Sequence, residues 1–250
     1  MGRFASTVDY YARYREPYPP KFFEKVAEQL GLRGDESLLD VGCGPGLLAI
    51  GFASFVGHGT GLDPEAAMIA AAKAAAAEAG VALSLIHGRI EEFPATQTYD
   101  VITIGRALHW MERGATLPVL ERLVPDSGHI LICRASSAET PETAWVKRYE
   151  ETRRSWAAER EERRHRIDPK EWFAGSCFRE LGEASVTECR KVTVADLIGR
   201  ALSKSNTSSE ILGDRKSIFE NEIAEVLKPF IHNGILPEQI VARASIFGKA

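Results

Sequence analysis

In the run Leu38-Leu39-Asp40-Val41-Gly42-Cys43-Gly44-Pro45-Gly46 an apolar strand leads into a turn of three glycines, with an acid two residues before the first of them. Glycines let the backbone turn sharply and approach a ligand where a Cβ would clash. Leu47-Leu48-Ala49-Ile50 continues as helix-compatible sequence, so the amides of the turn and of the helix start are expected to converge on one polar group. The dinucleotide fingerprint is G-x-G-x-x-G, whereas Gly42, Gly44 and Gly46 form G-x-G-x-G behind Asp40. An acid at that place repels a diphosphate and suits a ligand that carries an ammonium group. A purely structural tight turn is the alternative reading of the same residues.

A second acid follows at the spacing that nucleoside recognition uses. Thr60-Gly61-Leu62-Asp63 reads as the end of a second strand, and Asp63 stands about twenty residues after the glycine turn, where a carboxylate can accept both ribose hydroxyls. Pro64 and Glu65 then open a helix that runs through Ala66-Ala67-Met68-Ile69 and stops at Gly80. Capping that helix is the plainer task for Asp63, and its two oxygens are compatible with both.

With these blocks in view the chain resembles the class I S-adenosylmethionine-dependent methyltransferases, in the small-molecule branch that includes quinone-biosynthesis and trans-aconitate methyltransferase-like proteins. The resemblance rests on Leu39 to Gly46, on Gly61-Leu62-Asp63-Pro64, on His87-Gly88-Arg89-Ile90-Glu91-Glu92-Phe93-Pro94, and on Tyr99-Asp100-Val101-Ile102-Thr103 leading to Ala107-Leu108-His109-Trp110-Met111. The opening Tyr11-Ala12-Arg13-Tyr14-Arg15-Glu16-Pro17-Tyr18-Pro19 also looks like the segment preceding the core in that branch. Coverage runs from the first residues to about residue 134, and the remainder matches in outline.

The resemblance implies S-adenosylmethionine as cofactor, with Asp40, Gly42, Cys43 and Gly44 around its methionine end. It also implies Asp63 on the ribose, with Pro64 and Met68 beside it, and Arg89, Ile90 and Glu91 over the adenine. The family often has an acid directly after the glycine of the third block; here Arg89 carries only donors, so the acceptor for the adenine amino group shifts to Glu91. Gly105 and Arg106 are expected to flank the sulfonium. Tyr11 and Arg15 are expected to fold over the cofactor, Arg15 clamping the methionine carboxylate; an N-terminal helix with Arg15 in solvent is the other reading. His109 stands where it can take a proton from a substrate hydroxyl or amine, or it only packs. Tyr14, Trp110 and Trp145 are the expected walls of the substrate pocket.

The composition fits one enzyme domain over residues 1–250: 44% of the residues are hydrophobic and 26% charged. The formal charge of 31 minus 35, or −4, provides no general attraction for nucleic acid, and none is expected as a partner. The four cysteines, Cys43, Cys133, Cys177 and Cys189, form no C-x-x-C pair and no metal-ligand spacing with the histidines, so reduced thiols and no metal are expected. The start lacks an export-signal pattern, and the alanine-rich stretch 66–79 is interrupted by Lys73 and Glu78. No membrane insertion and a cytoplasmic location follow as expectations. The oligomeric state is left open.

Strand and helix signals alternate from Ser37 to Arg134, the pattern of an α/β, doubly wound, Rossmann-like sheet. Strands are expected near 37–42, 57–62, 82–87, 99–104 and 128–134, with helices over 20–31, 46–55, 64–79 and 114–123. A sixth strand near 184–194 and a seventh near 238–248 would complete a seven-stranded methyltransferase sheet around a core of about 30–134. Segments 1–29, 138–180 and 196–234 are then lid or cap elements, and acceptor selectivity should reside in them. Within the second, a long amphipathic helix is expected over 141–166, ending in the charge run Glu159-Arg160-Glu161-Glu162-Arg163-Arg164-His165-Arg166, which reads as a solvated face. The function so implied is methyl transfer from S-adenosylmethionine to a small-molecule acceptor. Cofactor binding without turnover, and a nicotinamide-dependent oxidoreductase, remain as alternatives.

Overall fold

The computed structural model describes residues 8–157 and 167–250. The charge run at 159–166, and with it the end of the expected 141–166 helix, lies outside these residues.

Seven strands form one mixed sheet in the order β3-β2-β1-β4-β5-β7-β6. They are β1 (Ser37–Val41), β2 (His58–Asp63), β3 (Leu83–His87), β4 (Val101–Gly105), β5 (His129–Ser137), β6 (Phe178–Val192) and β7 (Leu236–Lys249). The pairs β1–β2, β1–β4, β2–β3 and β4–β5 are parallel. The chain order therefore reverses between β1 and β4, the point at which open α/β sheets bind ligands beyond the carboxyl ends of their strands.

The described chain divides into two compact units. One comprises residues 18–134, 164–186 and 242–250. Its core joins Leu39, Val41, Ile102, Ile104 and Ile130 of the strands to Leu120 and Leu123 of α5 (Arg113–Leu123), and to Trp172, Phe173 and Phe247. Strands buried on both faces read as continuous apolar runs, which is why β1 and β4 were legible without alternation. On α4 (Ala66–Glu78), Met68, Ala72 and Ala76 are buried, a single stripe at intervals of one turn. On α2 (Pro20–Leu30), Phe23 meets Phe52 of α3 (Leu47–Phe52) edge to face, with ring centroids 4.9 Å apart. At the start of the strand pair, Asp100 accepts both the backbone N–H and the hydroxyl of Ser37 at 2.8 Å.

The other unit comprises residues 1–17, 135–163 and 187–241, of which those outside 1–7 and 158–166 are described. Its core gathers Trp145, Val146 and Tyr149 of α6 (Trp145–Ser155) with Leu197, Ala201, Phe219, Ile223, Leu227 and Leu236. Helices Val194–Leu202 and Lys216–Leu227 make up most of the helical excursion expected between the last two strands. A fully buried ion pair sits in this unit: Arg200 donates to both oxygens of Glu238, and Glu238 also takes Arg190 Nε at 2.9 Å and the Ser137 hydroxyl at 2.6 Å. Every acceptor site of a carboxylate buried to 1% exposure is thus given a donor.

Three expectations change. The helix expected over 141–166 is, within the described residues, a 3-10 turn Pro141–Thr143 followed by α6. The sixth strand begins at Phe178, well before the expected start: the exposed Arg179, Leu181 and Glu183 alternate with the less exposed Phe178, Glu180, Gly182 and Ala184 on an edge strand with one wet face, and the exposed leucine hid the alternation. The fourth helix starts at Ala66, leaving Pro64 outside it, because Glu65 is extended at φ −102 and acts as its N-cap.

Glu238→Ala would remove the carboxylate that accepts from Arg200, Arg190 and the Ser137 hydroxyl, leaving buried donors without that acceptor, and should cost about 3–5 kcal/mol of stability. Urea unfolding of the two proteins measures it.

Candidate functional site

The glycine turn is built by its neighbours' backbone demands. Gly42 N and Cys43 N both donate to the Leu62 carbonyl, at 2.8 and 3.0 Å, which ties the turn to β2. Gly42 has φ +68, and a Cβ there would lie 2.5 Å from Ala107 Cβ, so the close approach between the ends of β1 and β4 needs glycine. Gly46, at φ +86, is the N-cap of α3 and has no side chain with which to cap it.

Asp40 supplies what Gly46 lacks. Its Oδ2 accepts from Ala49 N at 3.2 Å, in the first turn of α3, and its Oδ1 accepts from the Thr103 hydroxyl at 2.8 Å. Asp40 and Thr103 are register partners on β1 and β4, so one carboxylate joins two strands to the helix start. Asp63 does the corresponding work from β2: Oδ2 accepts from Gly44 N at 2.8 Å and Oδ1 from Glu65 N at 2.9 Å. Burial pushes the Asp40 carboxyl up to about 7, against the lowering effect of the bonds from Thr103 and Ala49, and the Asp63 charge adds to the rise. Burial likewise raises Asp63.

This corrects the expectation that the turn's amides converge on a ligand. The N–H groups of Gly42, Cys43, Gly44, Gly46 and Ala49 all have acceptors within the protein. What the glycines contribute is close approach, over two buried acids. Cys43 is buried too, its thiol raised by burial and by Asp40 and Asp63.

The remaining residues of this unit border the same strand ends. Gly105 ends β4, and Arg106 after it has φ +57, a left-handed conformation uncommon outside glycine. The Arg106 guanidinium lies 5.1 Å from the centre of the Tyr18 ring. His109 and Trp110 lie in a 3-10 turn, Leu108–Trp110, with ring centroids 4.9 Å apart. Past β3, Ile90 is buried at the start of the turn Ile90–Glu92. Glu91 Oε1 accepts from Arg89 at 3.2 Å and from Glu112 N at 3.3 Å. Burial alone would raise the Glu91 carboxyl; these bonds and its own backbone N–H bring it below its usual range. One oxygen of the expected adenine acceptor is therefore already committed to the residue whose charge prompted the expectation. The Pro64 carbonyl pairs with His87 Nε2 at 3.0 Å, and Met68 is buried.

Four expected site residues belong to the other unit. Arg15 lies 4.7 Å over the Tyr11 ring, and its buried Nε has no hydrogen-bond acceptor among the described residues. The Tyr14 carbonyl accepts from Arg200 Nε at 3.3 Å, and its ring sits where a Cβ on Gly199 would come within 2.5 Å. Trp145 is a correction. It is 1% exposed inside an apolar cluster, with its indole N–H spent on the Pro237 carbonyl at 2.7 Å, so it is core and not a pocket wall.

Thr103 was missed. A lone hydroxyl inside the apolar run Val101-Ile102-Thr103-Ile104 was the signal that could have found it, since a buried polar group implies a partner. Among the described residues no group of three His, Cys, Asp or Glu side chains is placed to hold a metal ion, and no helix is long and apolar enough to cross a membrane.

Residues 38–127 match the family model described as a methyltransferase domain. A ubiquinone biosynthesis O-methyltransferase from Cronobacter sakazakii is 34% identical over 108 residues, 42% of this chain and 44% of that one. One of the same name from Serratia proteamaculans is 32% identical over 124 residues, 48% and 50%. The chain thus spans half or less of the length of the curated relatives it matches. A solved structure from Anaeromyxobacter dehalogenans, provisionally named a type II methyltransferase, is 21% identical and covers 94% of this chain and 98% of its own, with a TM-score of 0.68. A second, a SAM-dependent methyltransferase from Geobacter sulfurreducens in complex with S-adenosyl-L-homocysteine, is 18% identical, covers 98% of each chain and has a TM-score of 0.53. These two likenesses are likenesses of fold.

Asp40 is ordinarily ionised above about 3.8 and is here held neutral up to about 7, so the folded state binds the extra proton. Its contribution to stability is full below about 3.8, declines as pH rises from there and is lost by about 7 to 8. Urea midpoints at pH 5 and pH 8 should show this decline in the wild type and a flatter response in Asp40→Asn.

Proposed function

We propose that this chain, which belongs to the class I S-adenosylmethionine-dependent methyltransferases, transfers the methyl group of that cofactor to a small-molecule acceptor and releases S-adenosylhomocysteine. The observation that carries the reading is the pair of buried carboxylates at the glycine turn: Asp63 takes the Gly44 N–H and Asp40 the Ala49 N–H, while the Gly42, Cys43 and Gly46 N–H groups are taken by backbone carbonyls. A dinucleotide needs those amides for its pyrophosphate and is repelled by acids beside it. A sulfonium with an ammonium end needs neither the amides nor their positive field. The residues present fit such a group: the Gly42 approach to Ala107 leaves no room for a side chain, and each Asp63 oxygen retains a lone pair beyond the one its backbone donor uses.

In this reading Asp63 receives the ribose hydroxyls and Ile90 lies against the adenine. Gly42, Gly44 and Asp40 form the floor under the methionine end, and Gly105 and Arg106 border the sulfonium. The cofactor supplies an already activated methyl group. What remains for the chain is to align an acceptor atom, to keep water out, and to remove a proton where the acceptor carries one. His109 is assigned that proton. The names of the curated relatives make a hydroxyl on a small organic molecule the first acceptor class to try.

Titration calorimetry should show S-adenosylhomocysteine binding, no heat with NADH, and a loss of at least about tenfold in affinity in Asp63→Ala, from two charge-assisted hydrogen bonds. NADH binding in place of S-adenosylhomocysteine would reverse the assignment. His109→Gln should lower kcat about a hundredfold on a phenolic acceptor at unchanged S-adenosylhomocysteine affinity; an unchanged kcat would remove His109 from the chemistry.

A further inference from the structure

We infer that Thr103 is a positioning residue for cofactor binding, holding Asp40 so that one carboxylate fixes both the end of β1 and the start of α3 on either side of the glycine turn. The inference rests on the reading of this turn as a cofactor site, and Thr103 itself touches no ligand in it.

The geometry is closed on every side. Thr103 is fully buried and Asp40 nearly so, and the hydroxyl reaches Oδ1 at 2.8 Å while Ala49 N reaches Oδ2 at 3.2 Å. The two donors sit on β4 and α3, and the turn residues 42–46 span the gap between Asp40 and α3. No side chain of the turn can cap α3, since Gly46 is its N-cap. Asp40 is therefore an external cap, six residues upstream of the usual position, and Thr103 is what keeps its second oxygen from turning away. Loss of the hydroxyl leaves a buried oxygen with one donor fewer and frees the carboxylate to rotate.

Protonation offers the readout that a merely structural role would not move. An ionised Asp40 accepts from both donors, whereas a proton on Oδ2 meets the Ala49 N–H donor against donor and a proton on Oδ1 turns the Thr103 hydroxyl from donor to acceptor. Burial pushes this carboxyl up to about 7. The groups facing it are the Asp63 carboxylate at the end of β2, the Cys43 thiol in the turn and the Cys133 thiol on β5. Both thiols are raised by burial and stay neutral across this range, and Asp63 also adds negative charge. Affinity for the cofactor should accordingly fall as pH drops through 7. Without the Thr103 bond to the ionised form, the midpoint of that fall should move upward by about one pH unit.

The test compares wild type, Thr103→Val and Thr103→Ser by titration with S-adenosylhomocysteine between pH 6 and 9, alongside amide hydrogen exchange of the ligand-free proteins. Thr103→Val should bind about tenfold more weakly at pH 7, with its midpoint displaced upward and faster exchange at Ala49. Thr103→Ser should restore all three. Wild-type affinity and midpoint in Thr103→Val, or exchange at Ala49 unchanged from wild type, would overturn the inference. If Thr103→Val does not fold, Thr103→Ala is read against the same criteria. A wild-type chain that takes up no S-adenosylhomocysteine sinks the cofactor reading instead, and exchange at Ala49 alone then decides whether Thr103 holds Asp40.

Discussion

Two carboxylates inside the protein hold the backbone of one turn, and the arrangement of the candidate site depends on them. Asp40 and Asp63 accept from Ala49, Gly44 and Glu65 N–H groups and from one hydroxyl, and both acids are buried. Burying an ionisable acid is unfavourable unless donors surround it. Here two of the donors, Ala49 and Glu65 N–H, are at helix starts, where helix geometry leaves amides without intrahelical partners. Each group relieves the other's deficit, and the turn is fixed without a metal or a disulfide.

That economy constrains what the turn can bind. A loop that presents free amides attracts phosphate, as helix starts commonly do. In this chain the turn's amides are already taken, by the Leu62 and Cys43 carbonyls and by Asp63, and the space above is bounded by glycine backbone and by Ala107. A positive or neutral group that fits closely is welcome there, and an anion is not. The left-handed Arg106 at the end of β4 belongs to the same constraint, because backbone strain of this kind persists only where surrounding contacts hold it.

The second unit follows a different logic. Its helices share an apolar core around Trp145 and Tyr149, and its buried charges are paired side chain to side chain, as Arg200 is with Glu238, which also takes the half-buried Arg190. Trp145 shows why composition misled here. An aromatic in a charged helical stretch suits a pocket wall and a core position equally, and the choice turns on whether the indole N–H finds a carbonyl inside. Pro237, 92 residues further along, provides it.

Much of the fold was legible in the chain itself. The strands β1 to β5 follow from apolar runs, the helices between them from their caps and spacing, and the need for glycine at Gly42 and Gly46 from the turn they make. The acids Asp40 and Asp63 were identifiable by spacing, because ligand sites at strand ends recur at fixed intervals. Which atoms those acids face was not legible. The partner of Asp40 lies 63 residues away on a strand brought alongside by register, and a shift of that register by one residue would turn Thr103 to the opposite face. Types and intervals are local properties and can be read along the chain. The pairing of buried donors with buried acceptors belongs to the folded arrangement, and it converted the glycine turn from an expected array of free amides into a closed floor over two acids.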